Sequence, residues 1–126
     1  MMQHTILICD DERDIVSALK IYLEADGYAT RTAYDGKQAL SILADEPIDL
    51  VLMDVMMPVM DGLEAAKTIR MLARPDATLV PIIAMTAKAF DEDVQRSLNA
   101  GMNEHLSKPI YGKVLISTLM KYKRND

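Results

Sequence analysis

Short apolar runs alternate with stretches of helical periodicity along the chain, and the alternation repeats five times. The runs cover residues 5–9, 28–33, 49–53, 80–85 and 104–107. Three of them, "TILIC", "DLVLM" and "VPIIAM", are nearly all apolar, which is typical of central strands covered on both faces. Strands that alternate with helices in this way predict an α/β fold with a parallel sheet.

The first helical stretch has a clear amphipathic pattern, whereas the fourth does not. The apolar positions of the first, at helical spacing, are Ile15, Ala18, Leu19, Tyr22 and Leu23. We expect this face to pack on the sheet. The fourth stretch, residues 91–100, has only Val94 and Leu98 as its main apolar anchors, so we expect it to be the most loosely held helix.

Length and charge narrow the class of protein. The 126 residues predict a single domain over 1–126, and the net charge of −5 disfavours direct binding to nucleic acid or anionic membrane. No apolar run reaches the roughly 20 residues of a membrane helix, and "MMQHTILICDDE" lacks the features of a signal peptide. We therefore expect a cytoplasmic protein. Cys9 is the lone cysteine, so we expect no internal disulfide and a buried core thiol.

Chemically active side chains follow four of the five predicted strands. In a doubly wound sheet, ligands bind beyond the carboxyl ends of the strands. The residues at these ends are Asp10, Asp11 and Glu12, then Asp54, then Thr86, and finally Lys108 before Pro109. If the first and third strands are neighbours, as in a flavodoxin-like order, the carboxylates converge beside a hydroxyl and an ammonium.

The combination of carboxylates, a hydroxyl and an ammonium indicates a particular kind of site. Carboxylates held close together repel one another unless a cation lies among them, and a cluster of hard oxygen ligands suits Mg²⁺. A lysine and a hydroxyl opposite the carboxylates would hold an anion. Together these groups describe a phosphoryl-transfer site, where catalysis consists largely of positioning and charge neutralisation.

Four segments resemble the receiver domain of bacterial two-component response regulators. They are "ILICDDERDIV", "LVLMDVMMPVMDGLE", "PIIAMTA" and "HLSKPI", which occur in the family's order. The resemblance as a whole covers nearly the full length of the chain. The resemblance implies a flavodoxin-like, doubly wound (βα)5 fold with a five-stranded parallel sheet of order 2-1-3-4-5.

The resemblance also implies roles for the acidic residues. Asp54 would be the phosphoacceptor, which attacks the phosphoryl group of a histidine kinase and becomes an aspartyl phosphate. Asp10, Asp11 and Asp54 would bind Mg²⁺, and the backbone carbonyl of Met56 would be a further ligand. In contrast, Asp61 before Gly62 is expected to be a turn residue or helix cap, and Glu12 is expected in solvent or at the start of the first helix.

By the same resemblance, Lys108 and Thr86 would contact the phosphoryl oxygens, and the Lys108–Pro109 peptide bond would be cis. Thr86 and His105 would form a switch that reshapes the face of the fourth helix, fifth strand and fifth helix. Many receivers have tyrosine or phenylalanine where this chain has His105, so the aromatic switch is replaced here by a titratable ring.

The partners implied are a sensor histidine kinase or phosphotransfer protein and a downstream effector domain or protein. The resemblance also allows a phosphorylation-dependent dimer, and we expect neither direct nucleic-acid binding nor membrane binding. We expect a phosphorylation-controlled signalling module with self-catalysed transfer and slow hydrolysis rather than a turnover enzyme. A stand-alone regulator and a fragment of a larger one both remain open.

Two other classes of protein fit parts of this pattern. A Mg²⁺-dependent phosphohydrolase with an aspartate nucleophile, of the haloacid-dehalogenase kind, would place a second aspartate two residues after the first, where this chain has Met56. A flavodoxin-like electron carrier needs a Ser-, Thr- or Gly-rich phosphate loop after the first strand, and "CDDERD" would repel that phosphate. The phosphohydrolase is the alternative that remains.

Overall fold

The computed structural model describes residues 4–55, 60–71, 80–86, 95–96 and 98–122. The strands are β1 (Thr5–Cys9), β2 (Ala29–Ala33), β3 (Leu50–Asp54), β4 (Ile82–Thr86) and β5 (Glu104–Ser107). The helices with complete bounds are α1 (Arg13–Ala25), α2 (Gly36–Asp45), α3 (Gly62–Arg70) and the C-terminal helix (Gly112–Tyr122). None of these helices combines the length and apolarity needed to cross a membrane.

The five strands form one parallel sheet of order β2-β1-β3-β4-β5. Buried residues of α1 and the C-terminal helix pack on one face, and those of α2 and α3 pack on the other. Every residue of β3, at the centre, is buried, because both of its faces are covered. The predicted fold class and strand order are confirmed.

Strand ends differ from the predicted ends by one or two residues, for reasons of backbone hydrogen bonding. β3 includes Asp54 because the ladder with β4 continues through the Asp54–Met85 pair. β4 begins at Ile82, after Pro81, which has no N–H to donate to a ladder. These shifts place Asp54 and Thr86 at the last positions of their strands rather than after them.

The buried face of α1 was only partly predicted. Leu19 and Leu23 are buried as expected, but Val16 completes the buried set. Ala18 is exposed, and Tyr22 is 54% exposed with its ring against Gly112 at the start of the C-terminal helix. The apolar pattern therefore predicted the helix correctly, but the face that packs on the sheet differs from the predicted face. Tyr22 borders the neighbouring helix instead of the sheet.

The fourth predicted helix lies mostly outside the described residues. Gln95, Arg96, Leu98 and Asn99 have helical backbone, as expected for the end of that helix. Leu98 is 47% exposed, so one of its two predicted anchors is only half-buried, and Val94 is not among the described residues.

Arg70, the last residue of α3, forms hydrogen bonds at the end of the sheet opposite to the predicted site. Its Nε donates to the Gly101 carbonyl at 2.9 Å, Nη1 to the Val80 carbonyl at 2.7 Å, and Nη2 to Asn103 Oδ1 at 2.8 Å. Asn103 Oδ1 also accepts the Ile82 N–H at 2.9 Å. One guanidinium therefore joins α3 to the segments that enter β4 and β5.

Candidate functional site

The register of β1 and β3 brings two carboxylates side by side. Cys9 lies opposite Met53 in this parallel pair, so the next residues, Asp10 and Asp54, lie opposite each other. Neighbouring strands are about 4.8 Å apart, which is close enough for two carboxylates to share one cation. Asp10 is 0% exposed and Asp54 is 4% exposed. Two carboxylates buried this deeply need a compensating positive charge.

Asp11 completes an acidic cluster at this edge of the sheet. One carboxylate oxygen from each of Asp10, Asp11 and Asp54 lies within 4.8 Å of the others, and Asp11 is exposed to solvent. Asp10 Oδ1 accepts the Glu12 N–H at 2.9 Å, which fixes the turn into α1. Asp10 Oδ2 is buried, and it faces the side-chain ammonium of Lys108 at 2.8 Å. The structure thus brings together the three predicted carboxylates.

Lys108 supplies the positive charge among these groups. Its Nζ lies 2.8 Å from Asp10 Oδ2, 3.4 Å from Asp54 Oδ2 and 4.0 Å from Glu12 Oε1, and 14% of its side chain is exposed. Burial acts to lower the pKa of the Lys108 ammonium, but the carboxylates of Asp10 and Asp54 together outweigh it and raise the pKa. Lys108 is therefore a permanent cation at the centre of the cluster.

Thr86 and His105 occupy β4 and β5 near the same edge. Thr86 follows Met85, the residue opposite Asp54, and the Thr86 carbonyl accepts the Lys108 N–H at 2.7 Å. This bond ties the main chains of two predicted phosphoryl-binding residues together. His105 is half-buried and lies in β5, two strands away from β3 and Asp54.

Two further predictions concern main-chain groups. The Lys108–Pro109 peptide bond is cis, as expected. The carbonyl of Met56, the expected additional metal ligand, lies outside the described residues.

A main-chain hydrogen bond joins the residue after β3 to the first residue of α3. Gly62 N–H donates to the Val55 carbonyl at 3.0 Å, and a Cβ atom at position 62 would overlap the Asp54 carbonyl oxygen. Asp61 is the N-cap of α3, where its side chain accepts the Glu64 N–H at 2.8 Å. The prediction that Asp61 is a cap is confirmed, and Gly62 is needed for the close approach of α3 to Asp54.

Other groups near the site were not predicted. Glu12 begins α1 as expected, but its approach to Lys108 was missed. The guanidinium of Arg13 lies 4.2 Å from the ring centre of Tyr34, across the ends of β1 and β2. The Asp10–Glu12 turn could have been found from the two-residue spacing, whereas nothing local in the sequence signals the Arg13–Tyr34 contact.

The fold and this acidic edge agree with a comparison against protein families. The family model "Response regulator receiver domain" matches residues 6–120. The chain belongs to this family, the receiver domains of two-component response regulators. The family is one of signalling modules.

Individual relatives include transcriptional regulators and sensor kinases. The transcriptional regulatory protein CpxR of Escherichia coli (strain K12) is 37% identical over 121 residues, which are 96% of this chain and 50% of CpxR. The chain therefore spans about half the length of such curated regulators.

Two solved structures extend the comparison. The chemotaxis protein CheY4 of Vibrio cholerae has a TM-score of 0.91 at 30% identity, over 97% of this chain and 100% of CheY4. The receiver domain of the sensor histidine kinase PA1611 from Pseudomonas aeruginosa PAO1, whose structure has a magnesium ion coordinated in the active-site cleft, has a TM-score of 0.87 at 34% identity. That match covers 96% of this chain and 98% of the PA1611 domain.

Proposed function

We propose that residues 1–126 form a single receiver domain in which Asp54 accepts a phosphoryl group from a histidine kinase or phosphotransfer protein in a Mg²⁺-dependent reaction. The observation that supports this most directly is the geometry around Asp54. Its carboxylate is buried at the carboxyl edge of the sheet, beside Asp10 and Asp11 and 3.4 Å from the Lys108 ammonium.

The donor set fits a small divalent cation. Three carboxylates each offer one oxygen, and these oxygens lie within 4.8 Å of one another. Hard oxygen ligands of this kind suit Mg²⁺, and the magnesium in the PA1611 receiver domain supports the same assignment. Asp10, Asp11 and Asp54 would hold the ion, with the Met56 carbonyl as the further ligand. When bound, the ion would offset the negative charge that develops on the phosphoryl oxygens.

The chain's own groups then have distinct tasks in the transfer. An Asp54 carboxylate oxygen attacks phosphorus, a new O–P bond forms, and the P–N bond of the phosphohistidine breaks as the imidazole leaves with its electron pair. Lys108 is already poised between the carboxylates, and its ammonium binds a phosphoryl oxygen as that charge arrives. The Thr86 hydroxyl binds another. Burial of Asp54 limits the access of water to the acyl phosphate.

Phosphorylation would change the binding of partners through β4 and β5, the strands that carry Thr86 and His105. In the proposed switch, the Thr86 hydroxyl moves toward the phosphoryl group, and His105 follows because both residues lie on adjacent strands. This movement reshapes the face formed by the fourth helix, β5 and the C-terminal helix, where an effector domain or protein or a second phosphorylated copy binds. The domain is therefore a switch with slow self-hydrolysis, not a turnover enzyme. We also propose a cytoplasmic location.

The test is the intact mass of the protein after incubation with acetyl phosphate, with and without Mg²⁺. We expect one phosphoryl adduct that requires Mg²⁺ and is absent from Asp54→Asn. Asp61→Asn, which removes the same charge seven residues away, should keep the adduct. An adduct that persists in Asp54→Asn, or none on a folded protein that binds Mg²⁺, would overturn the proposal. Steady turnover of phosphomonoesters would favour the phosphohydrolase instead.

A further inference from the structure

Both oxygens of the Asp10 carboxylate already have partners within the chain. Oδ1 accepts the Glu12 N–H at 2.9 Å, and Oδ2 lies 2.8 Å from the Lys108 ammonium. Because Oδ1 is held by the turn into α1, a metal ion that binds Asp10 would take Oδ2. A divalent cation and an ammonium at the same oxygen repel each other. Binding of Mg²⁺ to Asp10 therefore requires the Lys108 ammonium to move.

The surroundings of Lys108 limit where its ammonium can go. The Lys108 N–H donates to the Thr86 carbonyl at 2.7 Å, and 14% of the side chain is exposed, so the ammonium needs a carboxylate nearby. Within the described residues, the carboxylates near Nζ are those of Asp10 at 2.8 Å, Asp54 at 3.4 Å and Glu12 at 4.0 Å. Asp10 and Asp54 are proposed metal ligands, which leaves Glu12 as the partner for a displaced ammonium.

The side chain of Glu12 is not used by the helix that it begins. Glu12 is the N-cap of α1, yet its carboxylate accepts no hydrogen bond from the first turn. In contrast, Asp35 and Asp61 cap α2 and α3 through their side chains, as the shorter acidic residue usually does. The Glu12 side chain is 64% exposed, so it can rotate toward Lys108. An approach of about 1 Å would give a charge-assisted hydrogen bond of roughly 2.8 Å.

We propose that Glu12 is a positioning residue for Lys108, a role that rests on the proposed function. In the metal-free protein, the Lys108 ammonium lies between the carboxylates of Asp10 and Asp54. When these carboxylates bind Mg²⁺, the ammonium moves toward Glu12, which balances its charge. Glu12 thereby makes it easier for Asp10 to exchange the ammonium for the metal ion. It also keeps Lys108 at the site, where the ammonium can bind a phosphoryl oxygen.

The test compares Mg²⁺ dissociation constants of the full chain, measured from backbone amide shifts during an NMR titration. Ion pairs with an exposed partner are weak, so we expect Glu12→Gln to weaken Mg²⁺ binding by about two- to fivefold. Asp14→Asn is the matched control. It removes an equal charge from the first turn of α1, but Asp14 is not one of the three carboxylates near Lys108 in the described residues. It should weaken binding by less than Glu12→Gln does.

A double-mutant cycle separates this role from a general effect of charge. Lys108→Met should strengthen Mg²⁺ binding, because no ammonium then competes for Asp10. In that background, Glu12→Gln should have a much smaller effect than in the wild-type protein. An equal effect in both backgrounds would overturn the proposal, because Glu12 would then act on the metal ion through its charge alone.

Glu12→Asp is a second variant, which keeps the charge but shortens the reach. Aspartate is a good N-cap, so this variant should be at least as stable as wild type and still bind Mg²⁺ more weakly. Should Lys108→Met fail to fold, Glu12→Asp decides the question. Wild-type Mg²⁺ affinity in Glu12→Gln or Glu12→Asp would overturn the role of Glu12. If the wild-type protein itself neither binds Mg²⁺ nor accepts a phosphoryl group, the proposed function fails instead, so the two failures are distinguishable.

Discussion

Neutralising Asp54 should make the metal-free protein more stable. Asp54→Asn keeps the shape of the side chain and removes one of the two buried negative charges of this site. Lys108 Nζ attracts the Asp54 carboxylate at 3.4 Å, which amounts to about 5 kcal/mol at an effective dielectric constant of about 20. Asp10 repels it within 4.8 Å, which amounts to at least about 3.5 kcal/mol on the same basis.

Two further terms make the charge on Asp54 less favourable. Asp11 lies at a similar distance and adds a second repulsion, weakened by its exposure to solvent. Burial of Asp54 adds a desolvation penalty to its charge. The repulsions and the penalty together exceed the attraction, and we expect Asp54→Asn to raise the free energy of unfolding by about 1 to 3 kcal/mol. That gain corresponds to a rise in Tm of roughly 3 to 12 °C.

The assay is urea and thermal unfolding in a metal-chelating buffer, repeated with Mg²⁺. Added Mg²⁺ should stabilise the wild-type protein by mass action and stabilise Asp54→Asn much less, so the difference between them narrows. Asp61→Asn is the control, because asparagine caps a helix about as well as aspartate and its stability should change by less than about 1 kcal/mol. If metal-free Asp54→Asn unfolds more easily than wild type, the electrostatic reasoning is wrong.

Three other outcomes follow from the packing. Gly62→Ala should lower stability by about 1 to 3 kcal/mol and slow phosphorylation, because the new methyl group meets the main chain of Asp54. Gly112→Ala should change both less, because its methyl group meets only the end of the half-exposed Tyr22 side chain. Arg70→Lys should lower the free energy of unfolding, measured in urea, by about 1 to 3 kcal/mol, because an ammonium cannot replace the three directed hydrogen bonds of the guanidinium. An unchanged urea midpoint would contradict that reasoning. The Cys9 thiol is fully buried, and burial raises its pKa, so a thiol reagent should label it at least about 100-fold more slowly in folded than in unfolded protein.

The strands were predictable because their signal is local. A buried strand in a parallel sheet is a short apolar run, and "TILIC" and "DLVLM" have that form without any knowledge of their neighbours. The convergence of Asp10, Asp11 and Asp54 followed once the first and third strands were placed side by side. A parallel register then brings the last residues of both strands to one edge.

What could not be predicted depends on contacts between distant segments. Tyr22 fits the apolar face of α1 by spacing, yet it borders Gly112, and only the packing of two helices decides that. A hydrogen bond from the Gly36 N–H to the Met60 carbonyl joins segments 24 residues apart in sequence and leaves no periodic signal. A glycine in a turn indicates a tight approach without identifying what approaches.

The identity of the phosphorylated residue is the most direct test of the proposed function. Borohydride reduces an aspartyl phosphate to homoserine, and peptide mass mapping then locates the modified position. After phosphorylation by acetyl phosphate with Mg²⁺, we expect homoserine at position 54 and none at 10 or 11. Homoserine at position 10 or 11, or its absence from a protein that carries a phosphoryl adduct, would contradict the assignment of Asp54 as the phosphoacceptor.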